Sequence, residues 1–212
     1  MIRIENSRTE YAEALAGLQQ AVFPTLSADE WFSAAMYRKH IEVFPQGQFL
    51  ALAHNDRGEE VLVGATTTFR TSFDFANQQP PFYFEFTGGG YLTTHEPDGV
   101  WLYGVDISVH PDFRRMGIGS RLYDARRELV KRLNLRGELV AGLMPGYPQH
   151  RAKMSVEEYA QKVAAGELLD PTLTMQLEND FKLWRVLRGY VHDARSDDCA
   201  TLIVRQNEAY KA

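Results

Sequence analysis

The chain has 212 residues, a formal net charge of −5 and 44% hydrophobic residues, enough apolar material to close one large core without disulfide or metal staples. The acidic balance argues against general nucleic-acid binding, and the single cysteine, Cys199, rules out an internal disulfide framework and a cysteine-based zinc cluster. No apolar run approaches the roughly 20 residues that span a bilayer, and Met1 leads into Ile2-Arg3-Ile4-Glu5 without a signal-peptide pattern, so a cytoplasmic protein with no membrane partner is expected.

Residues 2–5 predict a first strand. Residues 7–23 read as an amphipathic helix, with Tyr11, Leu15, Leu18 and Val22 at spacings of three or four. Ser7 is its expected N-cap, Glu10 completes a capping box, and Pro24 stops it. A second helix is expected from near Ser27, carrying Trp31, Phe32, Ala35 and Met36. Strands follow at 49–53 and 61–69, joined by the turn His54-Asn55-Asp56-Arg57-Gly58. The segment 74–99 holds Pro80-Pro81 and Gly88-Gly89-Gly90 and predicts an elaborated connection with short strands at 82–86 and 91–94; inserts of this length are often functional.

A strand over 101–109, a helix over 117–133 and a strand over 138–143 come next. Residues 144–165 predict an insert with its own helix starting near Ser155. Asp170 N-caps a short helix with Pro171 at its first position, and strands at 182–191 and 199–205 close the chain. No internal repeat is visible, so the reading is one domain over 1–212 with insertions near 74–99 and 144–169. Cys199 sits in an apolar run and reads as a small buried hydrophobe rather than a nucleophile.

The chemistry concentrates between Val105 and Ser120. An alternating strand ends at His110-Pro111, where proline removes a ladder donor. Arg114 and Arg115 follow, and Gly117 and Gly119 then open a helix whose Ile118, Leu122, Ala125, Leu129 and Leu133 recur at helical spacing. The first turn of a helix has unpaired N–H groups and partial positive charge, and glycines let a ligand approach the backbone. With two arginines beside them, these groups make a pyrophosphate cradle. A Walker loop would need a lysine after its glycines, and a dinucleotide fingerprint would need glycine where Leu122 stands.

Arg114-x-x-Gly117-x-Gly119 after Ile107-x-Val109-x-Pro111 resembles the acyl-CoA signature of the GNAT superfamily of acetyltransferases. The resemblance implies an α/β (α+β) fold with a mixed, mostly antiparallel sheet of about seven strands, a splayed central strand pair and helices on both faces. It implies acetyl-CoA as co-substrate, an amine acceptor, no metal, and allows a homodimer. Ile107, Ser108 and Val109 would meet the pantetheine and acetyl group, and the backbone across Arg114, Arg115, Met116, Gly117, Ile118, Gly119 and Ser120 would bind the pyrophosphate. A strand N–H, that of Val109 or a neighbour, would polarise the thioester carbonyl.

Phe44-Pro45-Gln46-Gly47-Gln48-Phe49, Thr87-Gly88-Gly89-Gly90, Thr94-His95-Glu96-Pro97-Asp98-Gly99 and Arg121-Leu122-Tyr123-Asp124-Ala125-Arg126 narrow it. They resemble the GNAT domain found fused to carbon–nitrogen hydrolases (nitrilase-like amidases). The chain has no room for the hydrolase domain and reads as a free-standing relative.

Amine acylation needs an uncharged nucleophile, a polarised thioester and a proton for the leaving thiolate. Three residues are candidate bases, each with a plain structural alternative: Asp106 on the key strand, which could instead hold a loop; Glu85, which could be a solvated strand residue; and His95, which could buttress the Glu96-Pro97-Asp98-Gly99 turn. Many GNAT enzymes place a tyrosine acid four residues before a Gly-Phe pair. Here the pair is Asp180-Phe181 and the position holds Gln176, which cannot donate a proton usefully at neutral pH. Tyr147, Tyr159, product or solvent are the alternatives, so the acid stays open. The departure also keeps in play a catalytically silent CoA-binding sensor or partner module. Trp31, Phe32 and Tyr37 read as core or pocket, and Arg126-Arg127 and Lys131-Arg132 as a solvated helix face or a contact to the CoA 3′-phosphate.

Overall fold

A computed structural model describes residues 2–55, 57–76 and 80–211. Asp56 of the expected turn, and residues 77–79 of the 74–99 segment, lie outside the described residues. Seven strands form one sheet: β1 (Arg3–Asn6), β2 (Phe49–His54), β3 (Glu60–Thr71), β4 (Trp101–Val109), β5 (Gly137–Leu143), β6 (Lys182–Arg188) and β7 (Cys199–Gln206), in the order β1-β2-β3-β4-β5-β7-β6. Every pairing is antiparallel except β4 with β5.

Helices α1 (Ala12–Val22) and α2 (Ala34–Val43) cover one face, where Leu15, Leu18 and Tyr37 pack with Phe69, Tyr103, Val105 and Leu202. The short α3 (Tyr83–Phe86) joins them there. The other face carries α4 (Ile118–Arg132), α5 (Val156–Ala164) and α6 (Leu173–Glu178). Ile118, Leu122 and Leu129 pack on Ala51, Val63 and Leu102, and Tyr159 and Leu173 pack with Val140 and Ile203. The alternation of buried residues along each strand therefore serves two cores, one per face.

Several local expectations need correction. Ser7 does not cap α1: its N–H donates to the Gln48 carbonyl at 2.9 Å, a single helical turn over Thr9–Tyr11 intervenes, and α1 begins only at Ala12, out of reach of the Ser7 hydroxyl. The second helix starts seven residues after Ser27, at Ala34, where the Ser33 hydroxyl accepts from the Met36 N–H at 3.3 Å. Trp31 and Phe32 thus precede the helix. Residues 82–86 and 91–94 are not strands. Tyr83–Phe86 coils into α3, and Gly88, Gly89 and Gly90 all take positive φ, a run of left-handed backbone that breaks any extended pairing. Ser155 caps as expected, its hydroxyl accepting from Glu158 N–H; Asp170 Oδ1 accepts from the N–H groups of Thr172 and Leu173 at 2.8 and 2.9 Å, but α6 begins at Leu173, so Pro171 lies in the turn before it rather than at its first position.

Candidate functional site

The parallel pairing of β4 with β5 runs only from Trp101 opposite Gly137 to Gly104 opposite Val140. Beyond that point β4 continues along β3 to Val109, and β5 continues along β7 to Leu143. The two central strands part, and the wedge opens into a cleft of about 780 Å³. Its walls are the ends of β4 and β5, the first turn of α4, the end of α1, and residues of α6 and of the 190–195 loop.

A bulge in β4 decides which way the key side chains face. Thr67 pairs with Asp106 but Thr68 pairs with Gly104, so Val105 is one residue too many. The extra residue turns Asp106 toward α2, where the Tyr37 hydroxyl donates to Asp106 Oδ2 at 3.2 Å and the Thr67 N–H to Oδ1 at 2.8 Å. Burial pushes the carboxyl up to about 6, although the Thr67 N–H, the Tyr37 and Thr67 hydroxyls and Arg126 all favour its charged form. Asp106 lines the cleft.

His110 donates its N–H to the Val63 carbonyl of the neighbouring chain segment at 2.9 Å. Because successive amides of a strand point to opposite sides, the Val109 N–H points away from β3, into the wedge. Arg115 at φ 62° and Gly117 at φ 75° then turn the chain into α4. The first intrahelical bond runs from Arg121 N–H to the Gly117 carbonyl, which leaves the preceding amides facing outward. A Cβ built on Gly117 or Gly119 would meet nothing within 4 Å. Among the described residues no packing asks for glycine at 119, and the space over its backbone is open.

Of the predicted residues, Asp106, Ile107, Val109, Arg114 and Arg115 line the cleft, as do Gly117 to Ser120. Ser108 is buried outside it, and Met116 is 55% exposed outside it. The structure does not bring Glu85 or His95 to the cleft. Glu85 is exposed on α3, since the predicted strand is a helical turn. His95 Nδ1 accepts from the Arg70 N–H at 3.1 Å and its ring stacks on Phe44, while burial pushes its pKa down. It buttresses the connection it sits in.

Gln176 is buried on α6 against the backbone of Gly142 and lines the cleft. Tyr147 and Tyr159 lie in the core under α5, where the Tyr159 hydroxyl donates to Asp170 at 3.0 Å. The phenols that do line the cleft are Tyr83 and Tyr190, both held well above their ordinary pKa by burial. Arg126 is not on a solvated face: it is fully buried and paired with Glu138 beneath Gly104. Sequence reading missed Gln19, Thr67, Tyr190 and Arg195 as site residues and left Tyr37 between core and pocket. No local motif marks them, because they come from four separate segments that only the fold assembles.

The family model described as Acetyltransferase (GNAT) family matches residues 13–146. In Bacillus subtilis (strain 168), the "Probable hydrolase YhcX" is 34% identical over 208 residues, 98% of this chain but 39% of that protein, so the chain spans about two fifths of this relative. The "Uncharacterized N-acetyltransferase YkwB" of the same organism is 31% identical over 211 residues, 99% of this chain and 91% of that one. Among solved structures, the loading GNATL domain of CurA from Lyngbya majuscula aligns with a TM-score of 0.79 at 20% identity, each chain covered to 98%. The GphF GNAT-like decarboxylase, in complex with isobutyryl-CoA, aligns at 0.76 and 22% identity, over 97% of this chain and all of that one. The ribosomal-protein-S18-alanine N-acetyltransferase from Escherichia coli aligns at 0.55 and 13% identity, over 100% of this chain and 96% of that one. With a model over more than half its length and a relative matched nearly end to end, the chain belongs to the GNAT acetyltransferase family.

Proposed function

We propose that this protein is an acyl-CoA-dependent N-acyltransferase that moves an acetyl group from acetyl-CoA to an amine. The observation that carries the reading is the wedge between β4 and β5, with an open glycine-lined helix start at one end and the Asp106 carboxyl at the other. Arg114, Arg115 and the first amides of α4 hold the pyrophosphate. The pantetheine arm lies along the unpaired edge of β4 as an added strand. Val109 N–H polarises the thioester carbonyl. Asp106 takes the proton of the acceptor ammonium, which frees the lone pair that attacks the carbonyl carbon. The thiolate leaves and takes its proton from solvent or from the nitrogen made cationic by the attack, because Gln176 cannot serve and burial makes the cleft-lining phenols weaker acids.

Calorimetric titration of CoA and acetyl-CoA tests the cofactor half. Gly119→Glu is the cleaner variant, since Gly117 sits at positive φ and any substitution there adds strain. Micromolar binding by the wild type, weakened at least about 100-fold in Gly119→Glu by the blocked and now anionic cradle, is expected. No binding at millimolar CoA sinks the proposal. Thiol release on adding amines tests the catalytic half.

Tyr37→Phe tests the assignment of Asp106. It removes a hydrogen bond that favours the ionised carboxyl, so the acidic limb of kcat/KM is expected to move to higher pH by up to about one unit, equivalent to about 1.4 kcal/mol. An unmoved limb would take Asp106 out of the rate law.

A second reading is acyl-CoA decarboxylation. It is favoured by the closer fit to the GphF decarboxylase than to the E. coli N-acetyltransferase. It predicts carbon dioxide from malonyl-CoA with no free thiol, whereas amine acylation predicts free thiol and no carbon dioxide. A silent CoA-binding module predicts neither.

A further inference from the structure

On the α1 face of the sheet, opposite the face that carries α4, the cleft is lined by the end of α1, residues 23–26 and the 190–195 loop. This wall is pinned on both sides. Ser27 N–H donates to the His192 carbonyl, His192 N–H donates to the buried Glu30, and Thr25 Oγ1 donates to the buried Asp193 at 2.5 Å. Arg195 stands on it, half-buried and lining the cleft. Its Nε donates to Thr25 Oγ1 at 2.7 Å, and among the described residues it makes no ion pair within 4 Å. Asp193 reaches Arg195 only through Thr25 and does not itself line the cleft.

With Nε fixed, the planar guanidinium has its two terminal nitrogens left to offer, in the fork geometry that matches a carboxylate. Gln19 adds a second donor. It is 1% exposed, lines the cleft, and its Oε1 accepts from the Phe32 N–H at 2.6 Å, which commits the acceptor half of the amide and leaves the NH₂ as its free half. The ionisable groups lining the cleft are Arg114 and Arg115 at the cradle, Asp106 at the bulge, Glu178 exposed on α6, the phenols of Tyr83 and Tyr190, and Arg195. Arg195 is the cation of the cleft that stands outside the cradle, and among the described residues no carboxylate pairs with it within 4 Å.

We infer that Arg195, oriented by Thr25 and assisted by Gln19, is a carboxylate-binding residue, and that the substrate this cleft takes beside the thioester carries a carboxylate. The inference rests on reading the cleft as an acyl-CoA site. Two sources share this chemistry: an amino acid as acceptor, with its amine toward Asp106, or a carboxyl group on the acyl chain itself.

Two arms of calorimetric titration separate these sources. Amino acids of two to six carbons are compared with their carboxamides on the CoA-loaded protein, and malonyl-CoA is compared with propionyl-CoA on the free protein. In the wild type, the carboxylate member of one arm is expected to bind about tenfold or more tightly than its uncharged partner. That preference should fall below about twofold in Arg195→Gln, with CoA affinity unchanged. Arg195→Lys, which keeps the charge but not the fork, should retain part of it and serves if the glutamine variant misfolds. Preference in the first arm identifies an amino-acid acceptor, and preference in the second a carboxylated acyl group. No preference in either arm, or one that survives Arg195→Gln, overturns the inference. Because both arms read binding, a protein that releases no thiol would defeat the acyltransferase reading and leave this test standing.

Discussion

Asp106→Asn is expected to lower turnover about 10²–10⁴-fold, the usual contribution of a positioned general base, while making the protein more stable at neutral pH. The two effects share one cause. The carboxyl is half-buried beside the β4 bulge, and desolvation raises its pKa from 3.8 to about 6. A group whose folded pKa lies above its unfolded one stabilises the fold fully below the unfolded value, and that stability is lost as pH rises through the folded value. Keeping Asp106 ionised at pH 7 therefore costs on the order of 2–3 kcal/mol. Asparagine keeps an oxygen for the Thr67 N–H and an amide where the Tyr37 hydroxyl can accept, and it carries no charge to desolvate. The melting temperature at pH 7 should rise by several degrees, at about 2–4 °C per kcal/mol for a chain of this size. The gain should shrink toward pH 4. For the active wild type, kcat/KM should climb through about pH 6 as Asp106 loses its proton. A variant that loses activity and stability together would mean that Asp106 is a structural residue holding β3.

The order of strands and helices was legible in the sequence because its signals are local. The β4 boundaries follow from the alternation that ends at His110-Pro111, and the start of α4 follows from Gly117 and the spacing of Ile118, Leu122 and Leu129. The α5 and α6 caps are legible for the same reason, since Ser155 and Asp170 bond within a few residues. Where a competing partner lay far along the chain, local rules misled. Ser7 has the form of a capping residue, but the sheet claims its N–H through Gln48. The alternating Phe82 and Phe84 pattern suits a strand, but Tyr83 N–H donates to the Tyr190 carbonyl and the triple glycine that follows bends the segment away. The end of the cleft at the start of α4 was readable because the residues that line it fall in one contiguous run, 114–120. The end at Asp106 was not. Asp106 could be named as a candidate, but its direction depends on one extra residue at Val105, and period-two alternation cannot place a side chain beyond a bulge. Tyr37 reaches Asp106, and Gln19 and Arg195 reach the cleft, from positions 69, 87 and 89 residues from Asp106 in sequence, and nothing in their neighbours announces it.

Glu138→Gln is expected to cost about 3–5 kcal/mol, the typical penalty for removing one partner of a buried ion pair, and so to lower the melting temperature by roughly 6–20 °C. Glu138 lies on β5 opposite Leu102, within the short stretch where β4 and β5 still pair. Its carboxylate is buried between two guanidinium groups, those of Arg126 on α4 and Arg205 on β7, the latter at 2.5 Å. Burial works against the charge of Arg205, and Glu138 supports it. A neutral amide would leave two buried cations facing each other. Gly104 belongs to the same device: a Cβ there would lie 1.5 Å from Arg126 Nη2, so Gly104→Ala should displace the guanidinium and destabilise comparably. Arg126 also reaches the Thr66 hydroxyl at 3.2 Å, which in turn donates to the Asp106 carbonyl at 2.6 Å. The ion cluster thus sits where the sheet stops pairing and is tied to the strand that carries Asp106. If its role is to hold that parting point, Glu138→Gln and Gly104→Ala should each weaken CoA binding even well below their melting temperatures, as calorimetry at 10 °C would read. Unchanged CoA affinity in a destabilised but folded variant would confine the cluster to stability and leave the wedge to the strands themselves.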